Sequence, residues 1–316
     1  MTTLITGGGL VGARAVEQVL ARGDDVVLFD VAPNPALLGP AAEKIQIVRG
    51  DVLLLPELLA AVQQYRPERI LHTAGLLTPA GQERPYFTVQ VNVVGTTNVL
   101  EAARLGGVRR VVLCSSGTVY ADDVPTAGGG MTEDHPAAPA TVYAATKLAG
   151  EQIGNGYASL FGFEFLAVRF AAVYGPAFTP GGGVTRVIHD ALTAALQTGQ
   201  ARVRRRWQGR MELVYSTDAA AGLVAAGFAP APAHRVFNIG SGELTSADDV
   251  AAMIAEFTGA QVAVVEPQGL AETNPRARLE AAYDLSRARA EIGYQPAYTL
   301  QRGIRELAAW LRDHRA

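Results

Sequence analysis

Thr3-Leu4-Ile5-Thr6-Gly7-Gly8-Gly9-Leu10-Val11-Gly12 is a short apolar run that breaks into three glycines and resumes as an apolar-periodic segment reaching Ala21. Asp25-Val26-Val27-Leu28-Phe29-Asp30 follows, so the first thirty residues read as strand, helix, strand. Gly7-x-Gly9-x-x-Gly12 falls at the turn between the first strand and the helix. Glycines there let the backbone approach a pyrophosphate, and the helix N-terminus beginning at Leu10 and Val11 meets its negative charge. Asp30 ends the second strand, where a carboxylate accepts hydrogen bonds from ribose hydroxyls and repels a 2′-phosphate. Val31, Ala32 and Pro33 bring no arginine to receive that phosphate, so the expected cofactor is NAD, not NADP.

Working outward, buried-type strands are expected at Ile45–Val48, Ile70–His72, Val111–Ser115 and Phe165–Val168. Helices at Leu55–Tyr65, Val89–Leu105 and Tyr143–Leu160 separate them. Strands alternating with helices predict an α/β fold with a doubly wound parallel sheet. After Pro176 the breaker-rich loop Phe178–Gly183 changes the texture. Helices at about Val184–Thr198, Thr217–Gly227, Ser246–Thr258 and from Leu300 follow, with a strand or ribbon over Ala201–Val214 and a strand at Arg235–Ile239. The expected organisation is a cofactor-binding domain over residues 1–175, with about 213–240 returning to it. Residues 176–316 would form mainly a smaller, discontinuous C-terminal substrate lobe.

Composition narrows the class. Half the chain is hydrophobic (49%), which suits a folded core, and a net charge of −3 gives no overall pull toward nucleic acid or anionic membrane. Cys114 is the single cysteine, which excludes an internal disulfide framework and fits a reducing cytoplasm. The apolar run Ala219–Ala233 is broken by Gly222, Gly227, Pro230 and Pro232 and is shorter than the roughly 20 residues needed to span a bilayer. A soluble protein without a membrane or nucleic-acid partner is expected. The five histidines are too scattered to suggest a metal site.

The chain has only two lysines, Lys44 and Lys147, among 27 basic residues. Lys147 stands four residues after Tyr143 in Tyr143-Ala144-Ala145-Thr146-Lys147, which puts phenol and ammonium on one helix face. The expectation is that the cation lowers the phenol pKa toward the working pH, so that Tyr143 exchanges a proton with an alcohol as hydride moves to or from a nicotinamide. Ser115-Ser116-Gly117-Thr118 ends a strand, where doubly wound sheets place their ligand crevice, and of the two serines Ser116 is expected to hold the substrate oxygen. Asp51, in Gly50-Asp51-Val52 after the third strand, is placed near the adenine amino group, whereas His72 is expected to pack beneath the cleft. Arg202, Arg204, Arg205, Arg206 and Arg210 either neutralise a substrate anion or line a solvated ribbon.

These segments together resemble the extended short-chain dehydrogenase/reductase superfamily in its NAD-dependent epimerase/dehydratase branch. The matching pieces are Thr6–Gly9, Gly50-Asp51, His72–Gly75, Asn92–Thr96, Ser115–Tyr120, Tyr143–Lys147, Arg169 through Pro176, and Asn238–Gly242. The resemblance implies a Rossmann sheet, Ser116, Tyr143 and Lys147 as catalytic triad, and a cofactor site that also takes in Val52, Ala74, Gly75, Asn92, Ser115 and Phe170. It implies a homodimer through the helices carrying Asn92–Leu105 and Tyr143–Leu160. It also implies a nucleotide-sugar epimerase, with Thr78, Ala172, Thr185 and Arg210 as substrate candidates. The alternative is a net dehydrogenase of a small hydroxylated substrate, because Leu76–Glu83 and Pro180–Thr185 resemble the L-threonine 3-dehydrogenase group. Three departures stand out. The glycine loop is one residue shorter than Thr-Gly-x-x-Gly-x-x-Gly. Gly117 and Thr118 replace the acidic groups of sugar 4,6-dehydratases, and Ala172 replaces an asparagine that touches the substrate diphosphate in the epimerases.

Overall fold

The computed structural model describes residues 1–77, 83–121, 130–176, 183–205, 209–266 and 281–314, with the side chains of 183–185 left aside. Seven parallel strands form the central sheet: β1 (Thr2–Thr6), β2 (Asp25–Asp30), β3 (Gln46–Arg49), β4 (Arg69–His72), β5 (Arg110–Ser116), β6 (Glu164–Phe170) and, after three further strands and two helices, β10 (Val236–Ile239). Their order is β10-β6-β5-β4-β1-β2-β3. The winding direction reverses between β1 and β4, the place where such sheets open a crevice at their carboxyl edge.

Both faces of this sheet are buried, and the sequence alternation shows why. Ile5, Leu28, Val112, Leu166 and Val168 pack on one side with the helices Leu10–Ala21 and Ser216–Phe228. Leu4, Val27, Phe29, Val111, Phe165 and Ala167 point the other way, against the helices Leu55–Tyr65, Gly95–Gly106 and Val142–Phe161. Near-continuous apolar strands are what a doubly covered parallel sheet requires. Gly154 brings the Val142–Phe161 helix close to β6, since a Cβ there would fall onto the Phe165 ring.

A separate apolar cluster lies beyond the sheet. It joins β7 (Ala172–Tyr174), the helix Gly183–Thr198, β8 (Gln200–Arg204), β9 (Met211–Tyr215), the helix Ala247–Thr258 and the helix Leu300–Asp313. The strand or ribbon expected over Ala201–Val214 is two strands that serve different sheets. β8 pairs in parallel with β12 (Gln261–Val265), whereas β9 joins β7 in parallel and β11 (Leu244–Thr245) antiparallel. Among the described residues, no helix is long and apolar enough to cross a membrane.

Candidate active site

The loop after β1 is shaped by close approach. Gly7 adopts φ +87°, and a Cβ on it would stand 2.7 Å from the backbone nitrogen of Ala74. A Cβ on Gly12 would fall onto the Gly7 carbonyl oxygen. Thr73, just past β4, braces this turn by donating its hydroxyl to the carbonyls of Thr6 (2.8 Å) and Gly7 (2.7 Å). Gly9 differs: nothing lies within 4 Å of the position its Cβ would take. The helix that follows, beginning Leu10-Val11, has neither a side-chain cap nor an acidic residue in its first turn. Its positive end is therefore left for an anion from outside the chain.

Asp30, half-buried at the end of β2, accepts from the backbone N–H of Gly8 (2.5 Å) and of Ala32 (2.7 Å). An open glycine cradle on an uncapped helix, with a fixed carboxylate at the neighbouring strand end, fits the pyrophosphate and ribose of NAD. Asp51 accepts the Leu53 N–H at 2.9 Å, and the Val52 carbonyl accepts the Asn98 amide at 2.9 Å, so both shape the turn after β3. Asn92 sits in a widened turn, Gln90–Val94, where its amide clamps Leu76 through both backbone groups (2.8 and 3.0 Å) and also donates to Thr146. Wider turns of this kind inside helices often mark functional sites. Gly75 lies between Asn92 and Lys147: its Cβ position is 3.1 Å from the amide oxygen of the first and 3.3 Å from the Nζ of the second. Phe170 is buried at the end of β6.

Ser116, Tyr143 and Lys147 converge at the carboxyl ends of β4 and β5. Thr141 caps the helix Val142–Phe161 by accepting the Ala144 N–H at 3.1 Å, which sets Tyr143 in the first turn. The Ser116 hydroxyl oxygen accepts from the backbone N–H (3.2 Å) and hydroxyl (3.0 Å) of Thr118, leaving its own proton to donate toward the neighbouring Tyr143 phenol. Lys147 is buried and donates Nζ to the Cys114 carbonyl at 2.9 Å, 5.8 Å from the centre of the Tyr143 ring. The electrostatics differ from the sequence expectation. Burial pushes the Tyr143 phenol up to about 12, the Ser116 hydrogen bond only partly opposes this, and burial lowers Lys147 as well. The reason is that both groups are desolvated and Lys147 spends its nearest contact on a carbonyl. His72 lies beneath, between the hydroxyls of Thr6 (2.6 Å) and Thr96 (3.0 Å); burial pushes it down to about 3, so it is a neutral packing residue.

Residues 3–240 match the model of the NAD dependent epimerase/dehydratase family. The chain belongs to this family. Among its relatives is the UDP-glucose 4-epimerase of Mycolicibacterium smegmatis, 35% identical, with 99% of each chain covered. The Thermus thermophilus UDP-glucose 4-epimerase, solved in complex with NAD, superposes with a TM-score of 0.85 at 26% identity over 99% of this chain and 100% of that one. The L-threonine dehydrogenase of Clostridium difficile also reaches a TM-score of 0.85, at 24% identity over 99% and 98%, a likeness of fold.

As a member of the NAD dependent epimerase/dehydratase family, this protein is an NAD-using enzyme of the extended short-chain dehydrogenase/reductase type. Beneath its triad lies a buried network that the sequence reading left unassigned. Ser115 turns its hydroxyl away from the cleft to Glu151 (2.5 Å), and Glu151 holds Arg169 through two bonds (2.9 and 2.6 Å). Arg169 reaches the Glu133 carbonyl and lies over the Tyr120 ring, and Tyr120 donates to Asn238 (2.5 Å). The signal was available: Tyr143, Lys147 and Glu151 recur at i, i+4, i+8 on one helix face. Of the substrate candidates, Ala172 is half-buried in β7 and Arg210 is exposed, 4.0 Å from the Asp249 carboxylate. Arg205 is paired with Asp248 and Glu266, and Arg202 is exposed on β8. Thr78 and Arg206 lie outside the described residues, as does the side chain of Thr185.

Proposed function

We propose that this protein is a nucleotide-sugar 4-epimerase acting on a UDP-linked hexose. The carrying observation is the juxtaposition of Ser116, Tyr143 and Lys147 beside an open glycine cradle, in a chain aligned end to end with a UDP-glucose 4-epimerase. Bound NAD would take hydride from the sugar carbon and give it back. The chain's own residues supply the proton handling. Ser116 donates its free proton toward the reacting oxygen and the Tyr143 phenol, stabilising whichever carries charge. Tyr143 removes the hydroxyl proton at its phenolic oxygen and later returns it. Lys147, anchored on Cys114, presents its remaining protons toward the side of the cleft lined by Gly75 and Asn92.

The same reading assigns residues 1–175 and about 213–240 to the cofactor side and 176–316 mainly to the substrate side. It is supported by the packing of Ser216–Phe228 and β10 onto the large sheet. It includes a homodimer: Tyr86, Phe87, Val89, Val94, Leu160 and Phe161 are exposed apolar side chains on two helical segments that pack side by side. A reducing, cytoplasmic setting accords with the buried free thiol of Cys114.

The test is an assay of purified protein with UDP-glucose, UDP-galactose and UDP-glucuronate, following stereochemistry at the sugar C4 together with NADH absorbance. Interconversion without NADH accumulation is expected. Stoichiometric NADH from a small hydroxy compound, with every UDP-sugar inert, would replace this reading with a net dehydrogenase.

A further inference from the structure

Gly117 follows Ser116 directly and begins the tight turn Gly117–Val119. The space its side chain would occupy is already taken: a Cβ there would fall onto the phenol oxygen of Tyr283. Tyr283 comes from more than 160 residues away, yet its hydroxyl rests on the backbone of the turn that presents Ser116. Its backbone N–H is held by Glu212 (2.6 Å), and the flanking residues Ala282 and Asp284 pair with Met131 at 2.8 and 2.9 Å. Its ring meets Tyr120 edge-on, centroids 6.0 Å apart at 72°. Backbone anchors and ring packing therefore fix the phenol from behind, while the hydroxyl has no hydrogen-bond partner among the described residues. Tyr143 is one of its electrostatic neighbours.

A rigidly held phenol with an unused hydroxyl, beside the group that handles the reacting oxygen, is poorly explained by packing alone, since phenylalanine would fill the same volume. We propose that Tyr283 is a specificity-determining residue, whose hydroxyl bonds a ring hydroxyl of the sugar next to the reacting carbon, and that Gly117 is glycine to admit it. This inference rests on the nucleotide-sugar reading. The contact is to the sugar and not to the nucleotide, because Tyr283 faces the Ser116–Tyr143 end of the cleft and not the glycine cradle.

The test compares wild type, Tyr283→Phe and Tyr283→Ala as purified holoenzymes. It measures kcat and KM for the UDP-sugar, the affinity for UDP alone, and bound NAD. Tyr283→Phe keeps the ring and every backbone anchor, so it separates loss of the hydroxyl from misfolding. The expected result is a KM for the sugar nucleotide raised about threefold to tenfold, as for loss of one neutral hydrogen bond, with UDP affinity and NAD content unchanged. Parental KM in Tyr283→Phe, or an equal loss in UDP affinity, overturns the assignment. A wild type inert on every UDP-sugar contradicts the underlying reading instead. The variants are then compared on whichever secondary alcohol the wild type oxidises, where unchanged constants for Tyr283→Phe overturn the assignment independently.

Discussion

The phenol of Tyr143 stays protonated in the resting site, because burial pushes it up to about 12 and Lys147 does not sit close enough to reverse this. In the proposed mechanism Tyr143 must lose that proton before it can act as the base that opens the reaction, which requires the substrate alcohol and a cationic nicotinamide to change its surroundings. Tyr143→Phe is therefore predicted to lower kcat by about a hundredfold to ten-thousandfold, the range for a lost general acid–base, while NAD binding and melting temperature hold. Parental turnover in that variant would remove Tyr143 from the mechanism. Asp30 carries a second residue-scale prediction. Its carboxylate already fixes Gly8 and Ala32, so Asp30→Ala removes both the proposed ribose acceptor and a brace of the glycine loop. NAD affinity should fall about tenfold and discrimination against NADP should weaken, read by titrating both cofactors; unchanged affinities would contradict it. At this scale the neighbourhood of Tyr143 and Lys147 and the strand-end position of Asp30 were legible because each follows from local spacing. The Glu151–Arg169 pair and Tyr283 were harder to read, since their meaning depends on which distant backbone they touch.

Among the elements, β9 ties together segments that lie far apart in sequence. Its residue Glu212 is buried and gathers the backbone N–H groups of Gly242 (2.7 Å) and Tyr283 (2.6 Å). Those donors favour the carboxylate, but burial outweighs them and raises the group from 4.5 to about 7. Between those two values the folded chain keeps a proton that the unfolded chain releases. The stability it contributes is complete below about pH 4.5 and is lost as pH rises to about 7. Glu212→Gln should flatten the dependence of melting temperature on pH across this window, and a slope equal to the parent's would count against a raised Glu212. Element boundaries tell the same story about legibility. The helix over Tyr143–Leu160 was readable to within a residue of the observed Val142–Phe161, whose ends are marked by a capping threonine, Thr141, and by Gly162 in the left-handed conformation. The stretch Ala201–Val214, expected as a strand or ribbon, holds two strands that do not pair with each other, since strand propensity says nothing about which sheet a strand joins.

Over the whole molecule, the sheet order β10-β6-β5-β4-β1-β2-β3 gathers the glycine loop, Thr73–Gly75, Ser116 and Phe170 along one carboxyl edge. Sequence alternation of strand and helix made that edge predictable, but not how residues beyond β6 fold over it. The apolar residues left on the two neighbouring helical segments belong to this scale too. Tyr86 (77% exposed) and Leu160 (77%) are large apolar side chains in water in the single chain. Tyr86→Glu together with Leu160→Glu is predicted to convert a dimer to monomer in light scattering, with the triad's geometry unaffected. A wild type that sediments as a monomer would dispose of the dimer.

The central claim, that this chain inverts a sugar carbon by removing and returning the same hydrogen, is tested most directly with UDP-galactose deuterated at C4. If the account holds, the UDP-glucose formed carries the deuterium at C4, the solvent gains none, and no NADH accumulates. Deuterium lost to solvent, or found in free NADH beside an oxidised product, would contradict it.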